Sequence, residues 1–158
     1  METAVEVTKE LMAGLMRQMG MEVAVETSLK EGNIWVEIRG DSEGVLIGKH
    51  GRTLESLQIL VNRMVNRRVK EPVRVIVDID NYRLRRSDSL VKMAKRLGEK
   101  AKLSGMATSV GPFNAHDRRI IHLAIKEDPS LETESEGEGI IKKVKIIPIK
   151  KDKITPLE

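Results

Sequence analysis

Val45-Leu46-Ile47-Gly48-Lys49-His50-Gly51 is the stretch whose reading decides the fold. Two glycines bracket two residues able to donate hydrogen bonds, so the backbone can turn sharply and approach a ligand where a Cβ would obstruct it. The residues that follow, Arg52 to Asn66, carry a helical pattern, and the N-terminal amides of such a helix favour an anion. A sugar-phosphate backbone fits that description. Gly-x-x-Gly by itself also describes an ordinary turn between two elements, so its surroundings must decide.

Upstream, Val5, Leu11, Met12, Leu15, Met16 and Met19 take the spacing of one helical face, and Gly20 ends it. Val23, Val25 and Thr27 then alternate with polar neighbours. After the turn Lys30-Glu31-Gly32-Asn33, Ile34, Val36 and Ile38 do the same, which predicts a hairpin with one apolar face. Ser42 to Ile47 is long enough for one helical turn entering the glycine loop. Downstream, Leu54, Leu57, Leu60, Val61, Met64 and Val65 form an apolar stripe, with Arg63 and Arg67 four apart on another face. Glu71-Pro72 breaks that helix, and Val73, Val75, Val77 and Ile79 alternate as a third strand.

This order, helix, two strands, short helix, Ile-Gly-Lys-His-Gly, long helix, strand, resembles a KH domain of the bacterial type II kind over residues 3 to 80. The resemblance implies single-stranded RNA or DNA held in a groove between the glycine loop and a sheet edge. Gly48, Lys49, His50 and Gly51 would grip the backbone and Ile47 would line the groove with the long helix. Arg52, Arg63 and Arg67 join these as candidate contacts on charge and position.

Charge distribution agrees. The chain has 158 residues and a net charge of +4, with a sequence pI of about 9.4. Arg39 to Arg86 holds eleven Arg or Lys against six Asp or Glu, which suits a polyanionic partner. Trp35, Tyr82 and Phe113 are the only aromatic residues, too few for a reader that stacks bases on an aromatic sheet face. Cysteine is absent, so disulfides and thiolate metal sites are excluded, and no cofactor is expected. The apolar runs fall short of the roughly 18 residues a spanning helix needs, and Met1-Glu2-Thr3 begins no signal-peptide pattern. The default expectation is a cytoplasmic protein.

The second half begins with Asn81 to Arg86, three arginines in six residues, leading into a helix that turns Leu90, Met93, Ala94, Leu97 and Ala101 inward and stops at Gly105. Thr108-Ser109-Val110 suggests a short strand, Gly111-Pro112-Phe113-Asn114 a turn, and Asn114 a cap for a helix over Ala115 to Lys126. On that helix Arg118 and His122 lie one turn apart. An anion between them would relieve their mutual repulsion, although a surface Arg beside a His that packs or caps gives the same spacing. Glu132, Glu134 and Glu136 alternate with Leu131, Thr133 and Ser135. After Gly137-Glu138-Gly139, lysines alternate with apolar residues from Ile140 to Lys150. The two runs predict a hairpin with opposed charges.

Helix, short strand, helix with Arg118-x-x-x-His122, then hairpin, resembles the R-3-H domain, which implies a second contact with single-stranded nucleic acid at Arg118 and His122. KH followed by R-3-H resembles the bacterial Jag (SpoIIIJ-associated) family, whose members commonly carry an additional N-terminal domain that this sequence does not open with. The expected architecture is α+β: a type II KH-like three-stranded sheet with helices over residues 1–82, a small α+β R-3-H-like domain over 83–150, and a tail over 151–158. The expected function is single-strand binding, most naturally of RNA, with an RNA-linked regulatory role. A homodimer or pairing with another KH protein is the alternative partnership, since KH folds pair through exposed strands and helices. Catalysis is poorly provided for. His50, His116 and His122 make no His-Glu-x-x-His, no thiol exists, and the Gly-Lys pair lacks P-loop spacing. An RNA hydrolase using Arg118 and His122 would have a base but no visible nucleophile.

Overall fold

The computed structural model describes residues 2–149. The chain divides into two compact units between Arg83 and Leu84. The expected tail over 151–158, and Lys150, lie outside the described residues.

In the first unit, α1 (Glu2–Gln18) precedes β1 (Ala24–Lys30) and β2 (Asn33–Arg39), followed by α2 (Arg52–Asn66) and β3 (Val75–Ile79). The β1–β2 turn, Glu31-Gly32, has both residues at positive φ (51° and 74°), the geometry that suits a two-residue hairpin. β1 pairs antiparallel with β2, which pairs parallel with β3. The sheet order β1-β2-β3 therefore leaves β3 as an edge. Period-two alternation turns Ile34, Val36, Ile38, Val75, Val77 and Ile79 to one face. There they form one core with Leu11, Met12 and Met16 of α1 and Leu54, Leu57, Val61 and Val65 of α2.

Two expectations need correction here. Leu60 does not belong to the buried stripe: it is 48% exposed, and Ile59 beside it 63%. A helix of this radius covers a core with only part of its circumference, and Leu57, Val61 and Val65 already fill that arc. Ser42 to Ile47 forms hydrogen-bonded turns rather than a helix. Its one helical-type bond runs from the Gly48 N–H to the Gly44 carbonyl (2.9 Å), because Gly44 at φ 67° prevents regular winding.

The second unit contains α3 (Tyr82–Ser104) from Leu84 onward, then β4 (Thr108–Phe113), α4 (Ala115–Lys126), β5 (Leu131–Glu136) and β6 (Lys142–Pro148). Its sheet is antiparallel with order β4-β6-β5. Leu90, Ala94 and Ala101 of α3 pack with Ile121 and Ile125 of α4 and Val144 and Ile146 of β6. β4 runs further than expected. Gly111, Pro112 and Phe113 continue the strand through an irregularity between Val110 and Phe113 instead of forming a turn, and a bulge is where a strand tolerates Gly and Pro. The charged hairpin forms with Glu134 opposite Lys145 and Glu136 opposite Lys143. β6 starts at Lys142, so Ile140 belongs to the connecting loop.

Candidate nucleic-acid interface

The approach to the glycine loop is held by two carboxylates. Asp80 accepts from the N–H of Gly40 and of Asp41 (both 3.1 Å). Asp41, only 6% exposed, accepts from the N–H of Val45 (2.9 Å), Leu46 (2.9 Å) and Ile47 (3.3 Å). Three donors on one carboxylate fix the turn, and the buried Leu46 side chain anchors it in the core. The glycines are then required for space as well as for conformation. Gly48 (φ 69°) leaves no room for a Cβ, which would overlap the Thr53 hydroxyl, and at Gly51 (φ 82°) a Cβ would stand 2.7 Å from the Tyr82 ring.

The expected fan of free helix-terminal amides is narrower than the sequence suggested. Thr53 and Leu54 donate to the Ile47 carbonyl (3.1 and 3.2 Å), Gly51 to Gly48 (3.3 Å), and Arg52 to Lys49. Among the described residues this leaves the N–H of Lys49 and His50 without an acceptor, side by side at the positive end of α2. Both side chains are exposed. His50 adopts φ 55°, ψ 27°, a left-handed conformation uncommon outside glycine but one that histidine enters more readily than most residues.

Further along α2, a groove of about 500 Å³ lies between this helix and the free edge of β3, lined by Gln58, Ile59, Asn62, Arg63, Arg74 and Arg83 among others. An exposed strand edge would ordinarily present unpaired backbone groups; this one does not. Asn66 receives the Val73 N–H (2.8 Å) and donates to the Val73 carbonyl (2.8 Å). Asn62 does the same for Val75 (2.9 and 2.7 Å). Gln58 receives the Val77 N–H (2.9 Å) and also donates to the Val75 carbonyl. Arg83 donates Nε to the Val77 carbonyl (3.1 Å) and Nη2 to Gln58 (3.1 Å). Gln58, Asn62 and Asn66 are four apart, the spacing that places side chains on one helical face. That repeat is visible in the sequence, as are Asp41, which marks a loop there, and Arg74 and Arg83, but spacing and charge alone single out none of them as site residues.

Ile47 through Arg52 are thus contiguous with the loop, and Arg63 lines the groove about 16 Å further along α2. Arg67 is exposed at the far end of α2, about 22 Å from Arg52 along the helix axis, and it does not line the groove.

Arg118 and His122 lie in the second unit, both half-buried. Asn114 caps α4 by accepting from the Asp117 N–H (2.8 Å). Arg118 Nη1 donates to the carbonyls of Phe113 (2.9 Å) and Ile140 (3.0 Å). Both nitrogens of His122 are engaged by β5, Nδ1 with Thr133 (2.6 Å) and Nε2 with Ser135 (3.1 Å). Burial, and then the charge of Arg118, hold the imidazole below its ordinary range, so at neutral pH it is uncharged. The pair pins α4 to two other segments and leaves Nε and Nη2 of Arg118 as its free donors among the described residues. Beneath them Arg86 pairs with the buried Asp117 at 2.7 Å.

Residues 6–79 match the family described as KhpA/KhpB, KH domain, and residues 88–148 the R-3-H domain. The chain is 40% identical over 134 residues to the RNA-binding protein KhpB of Clostridium symbiosum, covering 85% of this chain and 60% of that one. It is 32% identical over 120 residues to the KhpB of Bacillus subtilis, covering 75% and 57%, and 30% over 138 residues to that of Lactiplantibacillus plantarum, covering 86% and 42%. The chain therefore spans 60% or less of the length of these curated relatives. No helix among the described residues is long and apolar enough to cross a membrane.

Proposed function

Because the chain belongs to the KhpB/Jag family, a KH domain followed by an R-3-H domain, we propose that it binds single-stranded RNA and acts in RNA-linked regulation in a bacterial cytoplasm. The observation that carries this reading is the pair of free N–H groups at Lys49 and His50, set at the positive end of α2, the helix that further along lines a groove bearing Arg63, Arg74 and Arg83. One phosphate seated there receives two backbone donors and the Lys49 ammonium, while Ile47 and Ile59 offer apolar surface to the sugars and bases that follow. Arg52 sits beside the loop, and Arg67 adds long-range attraction. A second contact forms at the outer donors of Arg118, which the neutral His122 holds in place by fixing α4 to β5.

The test is a titration of the whole chain against single-stranded RNA, single-stranded DNA and duplex at several salt concentrations. Affinity should fall with salt at a logarithmic slope of about −0.7 per phosphate neutralised. Lys49→Asp with His50→Asp should abolish most single-strand binding and leave the fold intact, since both side chains are exposed and aspartate tolerates the left-handed region. Unchanged affinity in that folded variant would overturn the loop as the grip, and a flat salt dependence would favour a protein partner.

A further inference from the structure

The second sheet sorts its charges by face. Thr133 and Ser135 of β5 turn toward α4, where both hydroxyls meet His122, so period-two alternation sends Glu132, Glu134 and Glu136 to the opposite face. There Glu134 and Glu136 stand opposite Lys145 and Lys143 of β6, and Glu136 also pairs with Lys145 (3.6 Å). Lys142 has the other parity. It lies on the α4 side with Val144 and Ile146, opposite Phe113 of β4, and the Phe113 carbonyl accepts from Arg118 Nη1 (2.9 Å). Two cations thus come together where the sheet ends beside α4, and the acids of β5 are turned away from them. Among the described residues neither Arg118 nor Lys142 has an ion-pair partner.

The loop joining β5 to β6 runs past the same two side chains. Its residue Ile140 is 82% exposed, yet its carbonyl is fixed by Arg118 Nη1 (3.0 Å). Ile141, 43% exposed, follows, and then Lys142. A lone exposed apolar residue is ordinary on a protein surface. This one differs because its backbone is tethered to a guanidinium that still has unused donors, and because the second core forms without it.

Resting on the reading that the second unit contacts single-stranded RNA, we propose that this loop completes a one-nucleotide site there. Arg118 and Lys142 take a phosphate, and Ile140 receives the sugar and base next to it. A nucleotide joins an anion to a flat body with apolar faces, and this surface offers a complement to each part side by side. The outer edge of Arg118 presents Nε and Nη2, a fork that matches two phosphate oxygens. Lys142 adds a point charge on a flexible stem. Against these cations the loop sets one acid, Glu138, exposed to solvent, where water and salt screen it.

The base finds no aromatic ring to stack on. Phe113, the only aromatic residue after Tyr82, is buried at 8% exposure, so an aliphatic side chain is the surface left to cover the base. Every base has a face that such a side chain can cover. The site therefore takes its ligand as a nucleotide and not by sequence.

The experiment uses the full chain and a single-stranded RNA of about twenty nucleotides, enough to leave residues beyond those one small domain covers. Ile140→Ser should weaken binding about fivefold, what covering roughly half of an exposed isoleucine side chain is worth, and should leave the salt slope unchanged. Lys142→Ala should weaken binding and also reduce the steepness of the slope by about 0.7. Ile140 is exposed and Lys142 half-exposed, and circular dichroism checks the fold of both variants. With isoleucine δ1 methyls labelled for nuclear magnetic resonance, the Ile140 signal should move when RNA is added. That of Ile149, 42% exposed at the other end of β6, should stay. An Ile140 methyl that RNA does not move, or Ile140→Ser at the parent's affinity, would overturn the loop site; the grip stands in that case if Lys49→Asp with His50→Asp still removes binding. A slope in Lys142→Ala equal to the parent's would overturn the phosphate's place between the two cations. Absence of binding by the parent chain would overturn the reading on which the site rests.

Discussion

Removing the Asp41 carboxylate should separate the stability of the glycine loop from that of the sheet beneath it. In Asp41→Ala three N–H groups lose their acceptor at once, those of Val45, Leu46 and Ile47. Leu46 is 1% exposed, so water reaches that part of the turn poorly, and a buried donor left unpaired costs about 1–3 kcal/mol. The other two N–H groups are nearer solvent and together resemble the loss of a helix cap, about 0.5–2 kcal/mol. The sum is about 1.5–5 kcal/mol, against a total of roughly 4–12 kcal/mol for a unit of about eighty residues. Trp35 is the only tryptophan and lies on β2, so its fluorescence during urea unfolding follows the first unit alone. With m of about 1 kcal/mol/M, the midpoint should fall by about 1.5 M or more. Asp41→Asn should fall by less, since its remaining oxygen can still accept. A midpoint for Asp41→Ala within about 0.5 M of the parent would refute the claim that this carboxylate holds the turn.

Three further outcomes follow from particular contacts. Gly51→Ala should destabilise the first unit by about 2 kcal/mol, combining a left-handed backbone with a Cβ 2.7 Å from the Tyr82 ring; a Trp35 unfolding curve like the parent's would count against it. Gly98→Ala gains about 1 kcal/mol of helix propensity, but its Cβ would lie 2.7 Å from Leu131 Cδ1 and 3.2 Å from Ile125 Cδ1. Overpacking at about 1–3 kcal/mol should win, lowering the circular-dichroism melting point of the second unit. His122 has its folded pKa below 6.5, so the unfolded chain binds the extra proton first. Its contribution to stability should be complete above pH 6.5 and decline as pH falls from there toward the lowered value. Nuclear magnetic resonance of the ring should give a midpoint below 6.5, moving upward when a phosphate-bearing oligomer approaches Arg118 and His122. A midpoint above 6.5 in the free protein would contradict the desolvated site.

The elements themselves were legible because their signals are local. Alternation over five to seven residues suffices for β2 and β3, and Gly51 and Asn114 mark the starts of α2 and α4 at Arg52 and Ala115. Leu60 was misread because a stripe recognised by spacing alone does not say how wide an arc of the helix the core will cover. The amide ladder escaped for a different reason. Gln58, Asn62 and Asn66 look like ordinary polar positions on a helix surface until the topology places an unpaired strand edge beside them, and their partners lie seven to nineteen residues away. Asp41 looked like a loop residue, which it is; that its side chain turns inward to gather three amides depends on Asp80, 39 residues later, holding the loop from the other side.

Arg118 and His122 show the limit of reading chemistry from spacing. One helical turn between a guanidinium and an imidazole is equally the geometry of an anion site and of a brace, and the sequence left both open. In the fold each residue reaches a segment remote in the chain: Arg118 spans 22 residues to Ile140, and His122 spans 11 and 13 to Thr133 and Ser135. The brace therefore exists before any ligand arrives, and it constrains what the ligand can find. Nη1 is spent on two carbonyls, so a phosphate meets only the opposite edge of the guanidinium. His122, neutral and engaged on both nitrogens, must surrender a hydroxyl to take a proton and pair with that phosphate. Arg118→Lys discriminates between the two roles, because an ammonium can carry the charge to a phosphate but cannot bridge both carbonyls while keeping a planar donor edge outward. If the brace dominates, this variant should destabilise the second unit about as much as Arg118→Ala. If the charge dominates, it should retain both the fold and most of the affinity that Arg118→Ala loses.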